Sequence, residues 1–183
     1  MISIIGGGNL GTAIAEGLIK SKFCKAGDIT VTKRNISTLK ELAAKGVKVG
    51  SDNTAAVKDA GLVILAVKPF QVKEVVEGFR KNLGPGQIVV SVITGVTVSD
   101  LNEIIKKKIP VFRAMPNTAI AIQESMTCIS LTNATEKQTA YVKDLFSVLG
   151  KVVFINENLM DAATVLGACG TAYATRYIRA NIQ

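Results

Sequence analysis

The sequence predicts an α/β protein: a doubly wound, mostly parallel sheet wrapped in helices, with a short C-terminal helical extension. Three observations carry that expectation. Apolar stretches of strand character alternate with segments of helical period almost from end to end, the pattern of strands joined by crossover helices. Leu62-Val63-Ile64-Leu65-Ala66-Val67 is apolar at every position, as suits a strand buried on both faces in the middle of a parallel sheet. The first apolar stretch also runs straight into a glycine-rich turn and then a helix.

Taken in order, the first strand covers residues 2–5. A helix follows over residues 9–21, where Leu10, Ala13, Ile14, Gly17 and Leu18 share one face at steps of three and four. A second strand at 29–32 ends at Lys33-Arg34, then come a short helix at 37–45, a small strand at 47–49, a helix at 54–59 and the central strand at 62–67. After Pro69, the positions Val72, Val75, Val76, Phe79 and Leu83 mark another amphipathic helix, closed by Gly84-Pro85-Gly86, and a strand at 88–92 follows. Thr97-x-x-Asp100 and Thr135-x-x-Gln138 have the spacing of capping boxes. The first precedes Leu101, Ile104 and Ile105; the second precedes Val142, Leu145, Phe146 and Leu149, with Gly150 as the expected C-cap. Shorter strands are expected at 111–113, 127–131 and 152–155. Residues 1–156 therefore read as one domain, and from Glu157 the composition changes to alanine-rich helix, so residues 157–183 read as the start of a second, helical unit.

Bulk properties narrow the function. A chain that is 48% hydrophobic and 20% charged has the composition of a globular domain rather than a disordered or fibrous one. No apolar run approaches the roughly 18 to 20 residues needed to span a bilayer, and the first residues lack a basic flank. The expectation is a cytoplasmic protein, complete at its N-terminus, with no membrane partner. Cys24, Cys128 and Cys169 are odd in number and sit among apolar or small residues, so reduced structural thiols are expected and no metal site. The net charge of +8 is compatible with nucleic acid, an anionic small ligand or a solvated surface. The lysines are scattered, the one dense run Lys106-Lys107-Lys108 falls at an expected helix C-terminus where it suits the dipole, and few aromatics are available to stack bases. No nucleic-acid partner is expected.

Gly6-x-Gly8-x-x-Gly11 is a weak pattern alone, but here it lies between a strand and an amphipathic helix, the context in which it binds a dinucleotide. Each glycine has its own reason: Gly6 for the tight turn, Gly8 for close approach of a pyrophosphate to the backbone, Gly11 for helix–strand packing. N–H groups near Asn9 and Leu10 would meet the phosphate at the helix start. The fold expectation is thus a Rossmann-type sheet. Dinucleotide choice is made at the end of the second strand, where NAD enzymes place an acid on the ribose hydroxyls. This chain has Thr32-Lys33-Arg34-Asn35 there, and a cationic pair suits a 2′-phosphate, so NADPH is favoured with NADH possible. Ala66, Val67, Lys68 and Pro69 end the central strand beside the topological switch point, and Thr94 and Gly95 follow the next strand toward the same crevice. Met115, Pro116, Asn117 and Thr118 form a loop on the substrate side. For Pro69 and for the Met115 to Thr118 loop, a turn-forming role remains equally open.

Ile5-Gly6-Gly7-Gly8-Asn9-Leu10-Gly11, Ile64-Leu65-Ala66-Val67-Lys68-Pro69, Thr94-Gly95-Val96-Thr97 and Arg113-Ala114-Met115-Pro116-Asn117-Thr118 together resemble the ordered motifs of pyrroline-5-carboxylate reductases. Leu159-Met160-Asp161-Ala162 through Gly170-Thr171-Ala172-Tyr173 is similar to that family's entry into its C-terminal helical domain. The resemblance implies NADPH-dependent reduction of 1-pyrroline-5-carboxylate to L-proline. It also implies that Asn53 contacts the nucleotide, that Lys68, Pro69, Thr94 and Gly95 lie near the nicotinamide half, and that the C-terminal helices form a homodimer or higher homo-oligomer. Two departures stand out. Leu166-Gly167-Ala168-Cys169-Gly170-Thr171-Ala172 lacks the proline of the family's Ser-Gly-Ser-Gly-Pro-Ala stretch, and family members continue for several more helices, so the helical unit is expected to be truncated here.

With no histidine in the chain, a histidine general acid is ruled out. An imine can enter protonated and needs no acid for the hydride step, which suits an imino-acid substrate. No catalytic side chain is assigned by the sequence. Two further readings stay open: a non-catalytic NADPH-binding or regulatory module, and a reductase of a related imino acid.

Overall fold

The computed structural model describes residues 1–182. Eight strands, β1 (Ile2–Ile5), β2 (Ile29–Thr32), β3 (Lys48–Gly50), β4 (Leu62–Leu65), β5 (Ile88–Ser91), β6 (Val111–Met115), β7 (Ser125–Thr132) and β8 (Gly150–Phe154), form one sheet in the order β3-β2-β1-β4-β5-β6-β7-β8. Neighbours from β3 through β6 pair in parallel, β7 runs antiparallel to β6, and β8 is parallel to β7. The strand order reverses between β1 and β4, which makes that point the topological switch of a doubly wound sheet. Register levels the strand ends there: Ile5 pairs with both Thr32 and Leu65, and Leu65 with Ser91. Four loops consequently leave the sheet along one edge.

Alternation along the strands splits the interior into two layers. Ile4, Val31, Ile64 and Val90 point to one face and pack with α1 (Asn9–Lys20), α2 (Lys40–Ala44) and α6 (Glu136–Ser147) through Ile14, Leu18, Leu42 and Phe146. Ile5, Val63, Leu65 and Val89 point to the other and pack with α3 (Asn53–Lys58), α4 (Val72–Phe79) and α5 (Val98–Ile105) through Val57, Val76, Phe79 and Leu101. Each such side chain, fully buried, contributes about 1.5 to 3 kcal/mol. The helix starts follow from short-range chemistry. The Asp52 carboxylate accepts from the N–H groups of Thr54 and Ala55 at the start of α3, and both expected capping boxes form, Thr97 with Asp100 and Thr135 with Gln138. The hydroxyl and then the N–H of Thr97 hold the Asp100 carboxyl below its ordinary range.

Three local expectations are corrected. The helix expected over residues 37–45 is a 3₁₀ turn, Ile36–Leu39, running into the short α2; the Asn35 side chain accepts from the Ser37 N–H and buried Leu39 pins the turn down. Gly150 does not cap α6, which ends at Ser147 with Val148 as its C-cap; its backbone pairs with Ser125 and opens β8 instead. The tail is not one helix. A 3₁₀ turn (Glu157–Leu159) leads to α7 (Met160–Ala163), a π-helical turn (Thr164–Ala168) and α8 (Gly170–Ile182). Met160, fully buried, anchors this tail, whereas Leu159 is exposed. No described helix is long and apolar enough to cross a membrane.

Candidate nucleotide site

At the switch point the loops after β1, β2, β4 and β5 enclose a cleft of about 720 Å³. Its floor is the glycine turn. The N–H groups of Gly6 and Gly7 both donate to the Thr32 carbonyl, at 3.1 and 2.8 Å, which ties the turn to the end of β2. Gly6 has φ +112°, and a Cβ there would overlap the Ala66 carbonyl. Gly11 is buried outside the cleft, where a Cβ would overlap the Gly6 carbonyl oxygen, so its absence lets α1 close on the turn. A Cβ on Gly8 would meet nothing within 4 Å: it would project into open space at the cleft floor. Gly8 also offers no side chain to cap α1, so the first N–H groups of that helix, including those of Asn9 and Leu10, have no partner in their own helix and face the cleft that both residues line.

One end of the cleft is basic. Lys33, Arg34 and Asn35 line it, together with Ser51 and Asn53 from across the β3 end. The Lys33 N–H donates to the Gly50 carbonyl at 2.9 Å, which holds the loop in place while leaving the side chains free. Arg34 forms no ion pair among the described residues. Thr32 is 1% exposed, and its hydroxyl donates to Oδ1 of Asn53 at 2.6 Å. The ionisable residues lining the cleft are Lys33, Arg34 and Lys68, all cationic, so the low-dielectric walls focus a positive field that attracts an anion.

At the other end Ala66, Val67, Lys68 and Pro69 line the wall, with the Ala66 N–H held on the Ile5 carbonyl at 2.8 Å. Pro69 begins a 3₁₀ turn into α4, and the Gln71 amide oxygen accepts from the Lys68 N–H at 3.3 Å. Val75, Val92, Ile93 and Thr94 complete an apolar lip. Gly95 follows with φ +74° and is outside the lining. The Met115 to Thr118 loop does not line the cleft either, but Met115 Sδ lies 4.0 Å from the Thr94 hydroxyl, so the two loops are neighbours. Pro116 is buried and Thr118 exposed. Asn117 has a structural employment: its amide oxygen accepts from the Ala119 N–H at 3.1 Å and its amide nitrogen donates to the Gly167 carbonyl at 3.1 Å, tethering the π-helical turn.

Sequence reasoning did not single out Gly7, Asn35, Ser51, Gln71 or Val75. Gly7 was legible in the glycine triplet: a Cβ there would meet Val31 Cγ1 at 3.0 Å and press harder still on Leu39. Ser51 and Val75 carry no local signal, because only the packing of β3 and α4 brings them to the cleft. A second polar cluster was also missed. Arg113 on β6, 3% exposed, pairs with Glu157 at 3.2 Å and with Asp161 at 3.6 Å, and the same Glu157 oxygen accepts from the Val98 N–H at 2.8 Å. It fastens the start of the tail to both β6 and α5.

Comparison with known proteins places this geometry among relatives. Residues 1–95 match the family model described as NADP oxidoreductase coenzyme F420-dependent. Over 100% of its length the chain is 36% identical to pyrroline-5-carboxylate reductase 1 of Dictyostelium discoideum, of which it spans 35%. It is 32% identical to the pyrroline-5-carboxylate reductase of Methanosarcina acetivorans, with 98% of the chain and 67% of that relative covered. The solved structure of a pyrroline-5-carboxylate reductase from Coxiella burnetii superposes with a TM-score of 0.93 at 29% identity, covering 98% of this chain and 67% of that one.

Proposed function

Since the chain belongs to the pyrroline-5-carboxylate reductase family, we propose that it is part of a cytoplasmic enzyme that binds NADPH in the switch-point cleft and reduces 1-pyrroline-5-carboxylate to L-proline. The observation that carries the reading is the cleft itself: an open floor at Gly8 beneath free helix N–H groups, with an unpaired arginine at one end and an apolar lip at the other. These residues fit the cofactor. Asn9 and Leu10 N–H groups would hold the pyrophosphate, Lys33 and Arg34 the 2′-phosphate, and Ala66 to Pro69 with Thr94 would border the nicotinamide half. When bound, NADPH supplies the hydride.

The chain's own part is placement and the exclusion of water. Val67, Val75, Val92 and Ile93 make one end of the cleft apolar, and the Thr94–Met115 contact brings the β6 loop beside it as the substrate-side wall. Asn117 shapes that wall by holding Gly167 with one N–H of its amide, which leaves the second N–H for a ligand. An imine that arrives protonated requires no general acid for the hydride step, and these 183 residues, which contain no imidazole, need supply none. Oxidation of NADPH on addition of 1-pyrroline-5-carboxylate, followed at 340 nm in protein carrying the remaining helices of the family, is the direct test; NADPH binding without turnover there would point to a non-catalytic module.

Arg34→Asp is expected to weaken NADPH by about 1.5 to 3 kcal/mol, the worth of a charge-assisted phosphate contact, and to abolish or reverse the preference over NADH. Calorimetric titration of both cofactors checks it, and equal affinity of the unsubstituted chain for the two would overturn the NADPH assignment. The reading also includes a homo-oligomer. On α8, Tyr173, Tyr177, Ile178 and Ile182 are all more than half exposed, and apolar surface of that kind marks an interface. Sedimentation is expected to show a concentration-dependent dimer that Tyr177→Asp with Ile178→Asp dissociates; an obligate monomer at high concentration would remove this part of the proposal.

A further inference from the structure

We propose that Thr32 is a positioning residue that sets the choice between dinucleotides by occupying the amide oxygen of Asn53. The proposal rests on the NADPH reading above and gives Thr32, which lines the cleft but spends its hydroxyl on Asn53, a role exerted through that neighbour. Thr32 stands at the end of β2, where a dinucleotide-binding sheet that selects NAD carries an acid to accept from the ribose hydroxyls. Here the position is neutral and buried, and its hydroxyl points across to α3, donating to Asn53 Oδ1 at 2.6 Å. That bond fixes the amide rotamer. With its oxygen turned toward Thr32, Asn53 has its two N–H donors left for the cleft it lines.

Three neighbouring acceptors are engaged in the same way. Asn35 Oδ1 accepts from both the N–H and the hydroxyl of Ser37, the Thr32 carbonyl from Gly6 and Gly7, and the Gly50 carbonyl from Lys33. The side chains at this end of the cleft therefore present donors and cations, from Arg34, Lys33, Asn35 and Asn53, with the Ser51 hydroxyl able to act either way. A 2′-phosphate is rich in acceptor oxygens and satisfies such a surface. A ribose 2′-hydroxyl carries a proton that needs an acceptor, and leaving it unmatched costs affinity. Thr32 thus rejects the wrong cofactor by removing an acceptor, while Arg34 and Lys33 attract the right one. The two contributions are separable.

The test uses nucleotide fragments that isolate this end of the cleft. Affinities of the whole chain for 2′,5′-ADP and 5′-AMP are measured by calorimetric titration, and their ratio is the readout. General loosening of the site lowers both affinities and leaves the ratio unchanged. Thr32→Val keeps the shape and deletes the donor, so the Asn53 amide can turn its oxygen to the cleft; the preference for 2′,5′-ADP is expected to fall at least fivefold. Thr32→Ser restores a hydroxyl and should hold the ratio within twofold of the unsubstituted chain. Thr32→Ala provides a second deletion without added bulk, with the same expected loss. A Thr32→Val or Thr32→Ala ratio within twofold of the parent overturns the role of Thr32 alone. A parent chain that binds both fragments equally overturns it together with the NADPH reading.

Discussion

Gly8→Val is expected to lower dinucleotide affinity by about 100-fold or more, close to 3 kcal/mol, with little change in the thermal midpoint. Both halves follow from the same geometry. The space around a Gly8 Cβ is empty of protein, and its φ of −83° is ordinary for any residue, so a side chain strains nothing in the fold. On the proposed reading that space is the approach of the pyrophosphate to the N–H groups of α1, and an isopropyl group there would hold the anion off its donors. Gly11→Ala provides the contrast, since a single methyl group would overlap the Gly6 carbonyl and push α1 away from the turn; it should lower stability and affinity together. Differential scanning calorimetry with NADPH titration separates the two. A folded Gly8→Val chain with full affinity would place the pyrophosphate elsewhere.

Glu157→Ala is expected to destabilise the protein by about 3 kcal/mol, a fall in midpoint of roughly 6 to 12 °C for a chain of this size. Arg113 is 3% exposed, and without Glu157 its charge would rest on Asp161, which is 95% exposed and screened by solvent. The Val98 N–H, among the first of α5, would lose its acceptor as well. The reverse change should cost less. In Arg113→Met the buried position becomes apolar, and Glu157, 30% exposed, can still take up water while keeping its bond to Val98. Urea unfolding of both variants checks the asymmetry; equal losses would mean that the pair is screened rather than buried. Because Glu157 is where the tail begins, increased amide exchange over residues 157–167 should accompany the loss.

Much of the switch-point cleft was legible because its signals are local. Gly6, Gly8 and Gly11 act within one turn, the absence of an acid and the presence of Lys33 and Arg34 are read at one strand end, and the Thr97 and Thr135 caps close within three residues. The tail was harder. Leu159 is exposed and Met160 is the buried anchor, a contact between the tail and the sheet domain that no local pattern announces. The missing proline left the helix break undetermined, and the break occurs as a π-helical turn whose Gly167 carbonyl is held by Asn117, fifty residues earlier in the chain.

The sequence by itself determined the period of each element, the glycine turn and the sign of the charge beside it, all of which depend on residues within a few positions of one another. What the tertiary structure decided is which distant groups meet. The level register of Ile5 with Thr32 and Leu65, and of Leu65 with Ser91, gathers four loops into one cleft. The Thr32 hydroxyl reaches an amide oxygen 21 residues away, and Arg113 finds its carboxylate 44 residues away. The physical reason is that strand pairing, layer packing and the satisfaction of buried polar groups are settled between segments far apart in the chain, and no local pattern of residues records the partner that each will find.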